Sequence, residues 1–240
     1  MSEQRLDVAM VSRGLAASRS QAERLVKLGR VKAGGRPATR PGMSVSERTV
    51  IELLGGQPYV SRAAYKLEDA ATALRLDFSG KTVLDVGSSS GGFSDYALRH
   101  GAGKVIAVDV GSGQMHPLLR AERRVKLHEK TDIRTFATGE AIDLALIDVS
   151  FISIRDVLPS VAALAHQKTL IVALLKPQFE AGKTQTAKGV IKNERVRREI
   201  FKSFESWAKP RFLVIAKHDS AVTGTKGNRE RFYLLSPLQK

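Results

Sequence analysis

The stretch "VLDVGSSSGGFSD", residues 83 to 95, decides how the chain is read. Gly87 to Gly91 fits G-x-S-x-G, a strand-to-helix turn that would make Ser89 a nucleophile. The same residues fit a nucleoside-binding turn, in which glycines let backbone N–H groups approach a ligand and an acidic side chain takes a hydroxyl or amino group. Either reading puts a strand before Gly87, so the question becomes what surrounds that strand.

Strand-like and helical runs alternate from Tyr59 onward. The apolar runs "KTVLDVG", "KVIAVDV", "VKLHEK", "IDLALIDVS", "TLIVALLKP", "RFLVIAKHDS" and "RFYLLSP" are separated by helical stretches such as "FSDYALRHG", "SIRDVLPSVAALAHQ" and "NERVRREIFKSFESWAKP". Near-continuous apolar strands with helices between them predict a parallel sheet covered on both faces. The last two runs have only a loop between them, which predicts an antiparallel pair at the end of the sheet.

Ligands of such sheets bind at the carboxyl ends of the strands, where the strand order reverses. The first strand delivers Asp85 and the turn Gly87, Ser88, Ser89, Gly91, Gly92 and Phe93 to that crevice. The second delivers Asp109 and Val110, with Asp109 twenty-two positions after Gly87, where a carboxylate accepts ribose hydroxyls. The third ends near "EKTDIR", which places Asp132 and Ile133 beside an adenine edge. These spacings suit one nucleoside. A dinucleotide site would need a glycine where Ser89 stands, and a phosphate loop would need a lysine where Phe93 stands. An esterase would need an oxyanion-hole loop and sheet core upstream, whereas most residues before Asp85 belong to a basic segment or a linker. Ser89 is therefore read as part of a cradle, with His218 the weak support for a hydrolase.

With 240 residues, one or two domains are expected. Lys and Arg number 39 against 24 Asp and Glu, a formal charge of +15 that points to a polyanionic partner. No cysteine occurs, which excludes disulfides, thiolate zinc sites and cysteine nucleophiles. The apolar runs are far shorter than a membrane span and the first twenty residues carry charges throughout, so a cytoplasmic protein without a membrane partner is expected. Residues 5–48 form a small basic unit. Its pattern predicts a helix in "RLDVAMVSRG", a second in "QAERLVKLG" capped by Ser18 or Ser20, and extended pieces around Gly34-Gly35. Leu6, Val8, Ala9, Leu15, Ala22, Leu25, Val26 and Leu28 would form a minimal core. The Gly-Gly break before Pro58 marks the linker, giving domains 1–55 and 56–240.

The segment "RLDVAMVSRGLAASRSQAERLVKLGRVKAGG" resembles the alpha-L RNA-binding module of a small-subunit ribosomal protein, pseudouridine synthases and tyrosyl-tRNA synthetases. That resemblance makes Arg13, Ser18, Arg19, Arg24, Lys27 and Arg30 candidates for RNA contact. Across the whole chain, "YVSRAAYKL", "DVGSSSGGFSD", "AVDVGSGQM", "LIDVSFISI", "LLKPQFEAG" and "GTKGNRERF" occur in the order that resembles the TlyA family of ribosomal-RNA 2′-O-methyltransferases, often labelled haemolysins. The resemblance implies a Rossmann-like, FtsJ-like methyltransferase sheet of α/β class behind a small N-terminal α+β RNA-binding domain. It also implies S-adenosylmethionine as donor and a ribose hydroxyl of ribosomal RNA, naked or in ribosomal subunits, as acceptor, with cytidine as the target and no metal. The family's Lys-Asp-Lys-Glu catalytic set falls on Lys66, Asp148, Lys176 and Glu230, with Asp148 also beside the donor.

The chemistry suits those residue types. Displacement at an activated methyl mainly requires alignment, and a weakly acidic ribose hydroxyl requires a base and cations. Lys176 is expected to be the base, with Lys66 and Asp148 positioning it and the hydroxyl, and Glu230 holding the lysine geometry. Pyrimidine C5 chemistry commonly needs the cysteine this chain lacks, and adenine-N6 methyltransferases carry an Asn/Asp-Pro-Pro-aromatic turn where Asp148-Val149-Ser150-Phe151 stands; an oxygen acceptor remains. Ser90, the "AAYKL" approach to Lys66 and Arg231 depart from the family's usual residues. Lys183, Lys188, Lys226 and Arg229, in basic glycine-bearing loops, are further candidates for phosphate contact. Two other classes fit less well: an RNA-binding or ribosome-assembly factor that has lost turnover, and a membrane-lytic protein.

Overall fold

The computed structural model describes residues 3–54, 58–181, 189–224 and 227–238. It divides into two compact units, Met1–Tyr59 and Val60–Lys240. The division falls a few residues beyond the glycine pair that marks the linker in the sequence.

The smaller unit runs β1 (Glu3–Arg5), α1 (Leu6–Ser12), α2 (Arg19–Lys27), β2 (Val31–Ala33), β3 (Arg36–Pro37), β4 (Ser44–Ser46) and β5 (Ile51–Leu53). Strand β1 pairs antiparallel with β4, and β2 lies between β3 and β5. Gly34 and Gly35, at φ +58° and +74°, make the two-residue turn between β2 and β3, a conformation that favours glycine at both positions. Ser18, rather than Ser20, caps α2, its hydroxyl accepting from the Gln21 N–H at 3.2 Å. The two helices bury Leu6, Ala9, Met10, Ala22, Leu25 and Val26, and Val31 and Val45 from the strands complete the core. Val8, Leu15 and Leu28, expected inside, are only half-buried.

The larger unit opens with α3 (Arg62–Leu74), capped by Ser61, and continues β6 (Thr82–Val86), α4 (Gly92–Arg99), β7 (Lys104–Val108), α5 (Pro117–Arg120) and β8 (Val125–His128). It then returns through β9 (Leu144–Ile147), α6 (Ile154–Ala163), β10 (Leu170–Leu175), α7 (Pro177–Glu180), α8 (Glu194–Ala208), β11 (Phe212–Asp219) and β12 (Arg231–Pro237). One seven-stranded sheet results, in the order β11-β12-β10-β9-β6-β7-β8. The five strands from β10 to β8 are parallel, while β12 runs antiparallel to both β10 and β11, so the expected antiparallel pair ends the sheet. Apolar residues of β6, β9 and β10 pack between the layers against Val157, Leu158 and Val161 of α6 and Ile200, Phe201 and Phe204 of α8. The chain moves outward from β6 to β8 and then returns to β6's other side as β9. That reversal opens a crevice above the carboxyl ends of β6 and β9.

Candidate active site

Above the carboxyl ends of β6, β7, β8 and β9 lies a cavity of about 530 Å³. Its lining includes Val86, Gly87 and Ser89 from the first turn, Asp109 and Val110 after β7, Asp132 and Ile133 after β8, and Asp148 after β9. The volume falls in the range of sites that enclose ligands of drug or cofactor size. Gly87 has φ +80°, and a Cβ there would lie 2.9 Å from the Asp148 carbonyl oxygen; the turn can approach β9 only because this residue has no side chain.

Ser89 belongs to the cradle. Its N–H donates to Asp109 Oδ2 at 2.8 Å and its hydroxyl to Gln114 Oε1 at 3.0 Å. His218 pairs instead with Asp69, at 2.9 Å. The Gly111 N–H donates to Asp109 Oδ1 at 2.7 Å, so that carboxylate is fixed by backbone donors and keeps acceptor capacity toward the cavity. Asp132 faces the cavity with its carboxylate held by Arg134, which keeps its pKa below the usual carboxylate range.

Asp85 and four residues of the turn, Ser88, Gly91, Gly92 and Phe93, do not line the cavity. Asp85 is 1% exposed; its Oδ2 accepts from the Ser94 hydroxyl at 2.6 Å and its Oδ1 has no hydrogen-bond partner. Burial raises its pKa to about 7, with repulsion from Asp148 and Asp109 adding to the shift. The buried Ser88 hydroxyl is likewise without a partner. Phe93 is a core residue, its ring packed 6.2 Å from that of Phe232. Gly92 serves helix packing: a Cβ there would come within 2.9 Å of Ala63 Cβ on α3. Gly91, at φ +88°, makes the left-handed entry to α4.

Beside this cavity the Lys, Asp, Lys and Glu side chains form two ion pairs. Lys176, directly after β10, has Nζ 2.7 Å from Asp148 Oδ1, a charge contact without hydrogen-bond alignment, and donates to Ser150 Oγ at 2.8 Å. Lys66, on α3, donates to Glu230 Oε2 at 2.5 Å, with both side chains buried. The sheet register brings the pairs together. Ala173 faces Ile147 and Leu175 faces Arg231, so Asp148, Lys176 and Glu230 leave three adjacent strands at one end, with neighbouring backbones about 5 Å apart. Gln178 on α7, two residues after Lys176, reaches Glu230 Oε1 with its amide at 3.4 Å. Burying each ammonium against a carboxylate offsets the desolvation that would otherwise expel it.

Several residues here carry no signal in the sequence. Gly224 abuts the Glu230 carboxylate, and a Cβ would lie 2.5 Å from Oε1. Glu180 ties two loops together by accepting from the Ser153 hydroxyl and the Ile154 N–H, each at 2.7 Å, and burial raises its pKa. Phe151 lines the cavity while 92% exposed and at φ +67°, unusual for an aromatic residue. No local pattern distinguishes these positions.

The candidate RNA-contacting residues of the smaller unit differ in how free they are. Arg13 donates to the backbone carbonyls of Thr49, Ser46 and Glu47 at 2.6 to 3.2 Å, so it is an internal tie, and the Ser18 hydroxyl is occupied as a cap. Arg19 is presented outward, 3.2 Å from wholly buried Asp7, which also holds Arg5 at 2.8 Å. The two guanidinium groups, Arg5 foremost, lower the Asp7 pKa to about 2. Arg24 is exposed and Lys27 pairs loosely with Glu23 at 3.8 Å. Arg30 follows α2 and is half-buried. Arg229 is exposed, 3.7 Å from Glu194. Lys183, Lys188 and Lys226 lie outside the described residues. No group of three potential metal ligands, and no helix long and apolar enough to cross a membrane, occurs among the described residues.

A Rossmann-like sheet ending in an antiparallel hairpin, with a nucleoside-sized cavity at the strand reversal, is the fold of S-adenosylmethionine-dependent methyltransferases. Residues 59–236 match the FtsJ-like methyltransferase model, and residues 4–51 match the S4 domain. The chain is 37% identical over 238 residues to the 16S/23S rRNA (cytidine-2′-O)-methyltransferase TlyA of Mycobacterium tuberculosis, covering 96% of this chain and 89% of that protein. It is 40% identical over 178 residues to the 23S rRNA (cytidine-2′-O)-methyltransferase TlyA of Campylobacter jejuni, covering 73% and 70% respectively. A haemolysin-labelled solved structure from Streptococcus thermophilus superimposes with a TM-score of 0.74 at 34% identity, covering 100% of this chain and 90% of that one. The chain therefore belongs to the FtsJ-like methyltransferases, in the TlyA family that joins an S4 domain to the methyltransferase domain.

Proposed function

We propose that the protein transfers the methyl group of S-adenosylmethionine to the 2′-hydroxyl of a cytidine in ribosomal RNA, acting in the cytoplasm. The observation that carries this reading is the pair of buried Lys–carboxylate contacts, Lys176 with Asp148 and Lys66 with Glu230, at the strand ends beside the nucleoside-sized cavity. The names borne by the TlyA relatives support ribosomal RNA and a cytidine 2′-oxygen as the acceptor.

The cavity fits the donor. Asp109 would take the ribose hydroxyls, Ile133 and Val110 would flank the base, and Asp132 would face its edge from the grip of Arg134. Gly87 keeps space for the methionine portion next to Asp148, with Asp85 behind the turn. Bound there, the donor supplies an electrophilic methyl group on a sulfonium. The protein's task is then to align the acceptor oxygen and handle its proton. Lys176 Nζ takes the proton from the 2′-hydroxyl, and Asp148 balances the charge that the amine gains. Lys66, held by Glu230, stabilises negative charge developing on the acceptor oxygen. Arg5, Arg19, Arg24 and Lys27 of the S4 domain, with Arg229 of the larger unit, supply cations for the RNA backbone. Lys183, Lys188 and Lys226 belong to the same proposal on the strength of their charge.

The test is to incubate purified protein with methyl-labelled donor and with each ribosomal subunit or its extracted RNA, then digest the RNA to nucleosides. Label in 2′-O-methylcytidine is the expected result. Label only on a base, or none from any acceptor, contradicts the proposal.

A further inference from the structure

Ser150 has no part in the two ion pairs, yet its side chain touches the lysine at their centre. It stands two residues beyond Asp148, is exposed, lines the cavity, and accepts from Lys176 Nζ at 2.8 Å. Asp148 Oδ1 lies 2.7 Å from the same nitrogen. A lysine nitrogen has one bond to its own side chain and three further tetrahedral directions. Ser150 takes one of them in a hydrogen bond, while Asp148 holds the nitrogen by charge without hydrogen-bond alignment.

The two loops that carry these groups are braced against each other. Lys176 caps α7, and Glu180 at the end of that helix accepts from the Ser153 hydroxyl and the Ile154 N–H at 2.7 Å, with Arg155 Nε 3.3 Å away. The segment from Asp148 to Ile154 is therefore pinned to the segment from Lys176 to Glu180 at a point beyond the Ser150 contact. The Phe179 ring lies 5.9 Å from Nζ, and Gln178, two residues on, donates to Glu230, the partner of Lys66.

Resting on the reading of Lys176 as the base, we propose that Ser150 is a positioning residue for it. Asp148 holds the nitrogen in place by charge, and the hydrogen bond to Ser150 stops rotation about the terminal bond of the lysine, so that a further direction of Nζ faces the acceptor hydroxyl. An acidic partner alone would hold the nitrogen in place but leave it free to turn. The serine hydroxyl fixes the second point without adding a second negative charge that would bind the ammonium more tightly.

The experiment compares full-length Ser150→Ala and Ser150→Thr with the parent chain. It measures single-turnover methyl transfer to ribosomal subunits across pH 6 to 9, donor affinity by calorimetry and melting temperature. The expected result for Ser150→Ala is a rate about tenfold lower at saturating donor, short of the roughly hundredfold that a 1 Å misplacement can cost. Donor affinity stays within about twofold and melting is unchanged, because Ser150 is exposed. Removing a hydrogen-bond acceptor disfavours the charged amine, so the acidic limb of the rate profile moves to lower pH. Ser150→Thr restores rate and profile. Parent-like rate and profile in Ser150→Ala overturn the proposal, as does a loss confined to donor affinity, which would make Ser150 a cavity-wall residue. A Lys176→Ala control separates the two levels. If that variant is inactive while Ser150→Ala is normal, only the role of Ser150 fails; if it is active, the base assignment fails as well.

Discussion

Replacing Asp85 by Asn should change how stability depends on pH, by an amount that follows from where the carboxyl lies. Asp85 is 1% exposed, one of its oxygens lacks a partner, and its pKa rises from 3.8 to about 7. The folded protein thus keeps a proton that the unfolded chain has already lost, and it binds more protons than the unfolded chain between those two values. Stability therefore falls with rising pH across that window: Asp85 contributes fully below about pH 4, and its contribution is lost as pH climbs through about 7. A displacement of about three units at ~1.4 kcal/mol each gives roughly 4 kcal/mol as the upper end. Asn has the same shape, can accept from Ser94, and does not titrate. Urea unfolding of both proteins at pH 4.5 and pH 8, without donor, should show the Asn variant gaining several kcal/mol relative to the parent between the two conditions. Other titrating groups cancel in the difference. A difference that does not change with pH would refute the claim that this carboxyl is buried without a charge partner.

Two further outcomes follow from close contacts. Gly224→Ala places a methyl group 2.5 Å from Glu230 Oε1 without demanding unusual backbone angles, so it should push Glu230 off Lys66. The rate should fall about tenfold with donor affinity retained, which rapid-quench kinetics and calorimetry would read. Asp7→Asn removes the wholly buried acid beneath Arg5 and Arg19, whose folded pKa of about 2 lies below the usual 3.8. That depressed value stabilises the fold above about pH 4 and is lost as pH falls through about 2. The variant should be destabilised by about 1–2 kcal/mol at pH 7, after allowance for the solvent-exposed arginines, with the gap closing toward pH 2 in denaturant melts.

What the sequence made legible, and what it hid, follows from the range of the interactions. The sheet could be read because its central parallel strands are apolar runs buried on both faces, as in "LIVALL" from Leu170 to Leu175. Asp109 and Asp148 could be placed at the crevice because they end such runs. The partners within the Lys-Asp-Lys-Glu set were not visible from spacing, since Lys66 and Glu230 are 164 positions apart and meet only because β12 returns beside β10. In isolation Lys66 looks like any exposed helix lysine. The same limit explains Arg13, which a basic segment offers as an RNA contact but whose donors go to carbonyls more than thirty residues away. Phe93 and Gly92 belong to the turn by position, yet the first turn of α4 directs one into the core and the other against α3. A glycine-rich motif records that side chains are absent without saying whether a ligand or a helix needs the space.

In the proposed mechanism Lys176, held by Asp148 and braced from α7, removes the proton from a ribose hydroxyl while the donor lies in the adjoining cavity. Single-turnover methyl transfer by Lys176→Met, measured alongside its donor affinity, is the decisive test of this role. Donor binding close to the parent's, with transfer to ribosomal RNA reduced at least a hundredfold, is the predicted result. Parent-like transfer by a variant that still binds donor would contradict it.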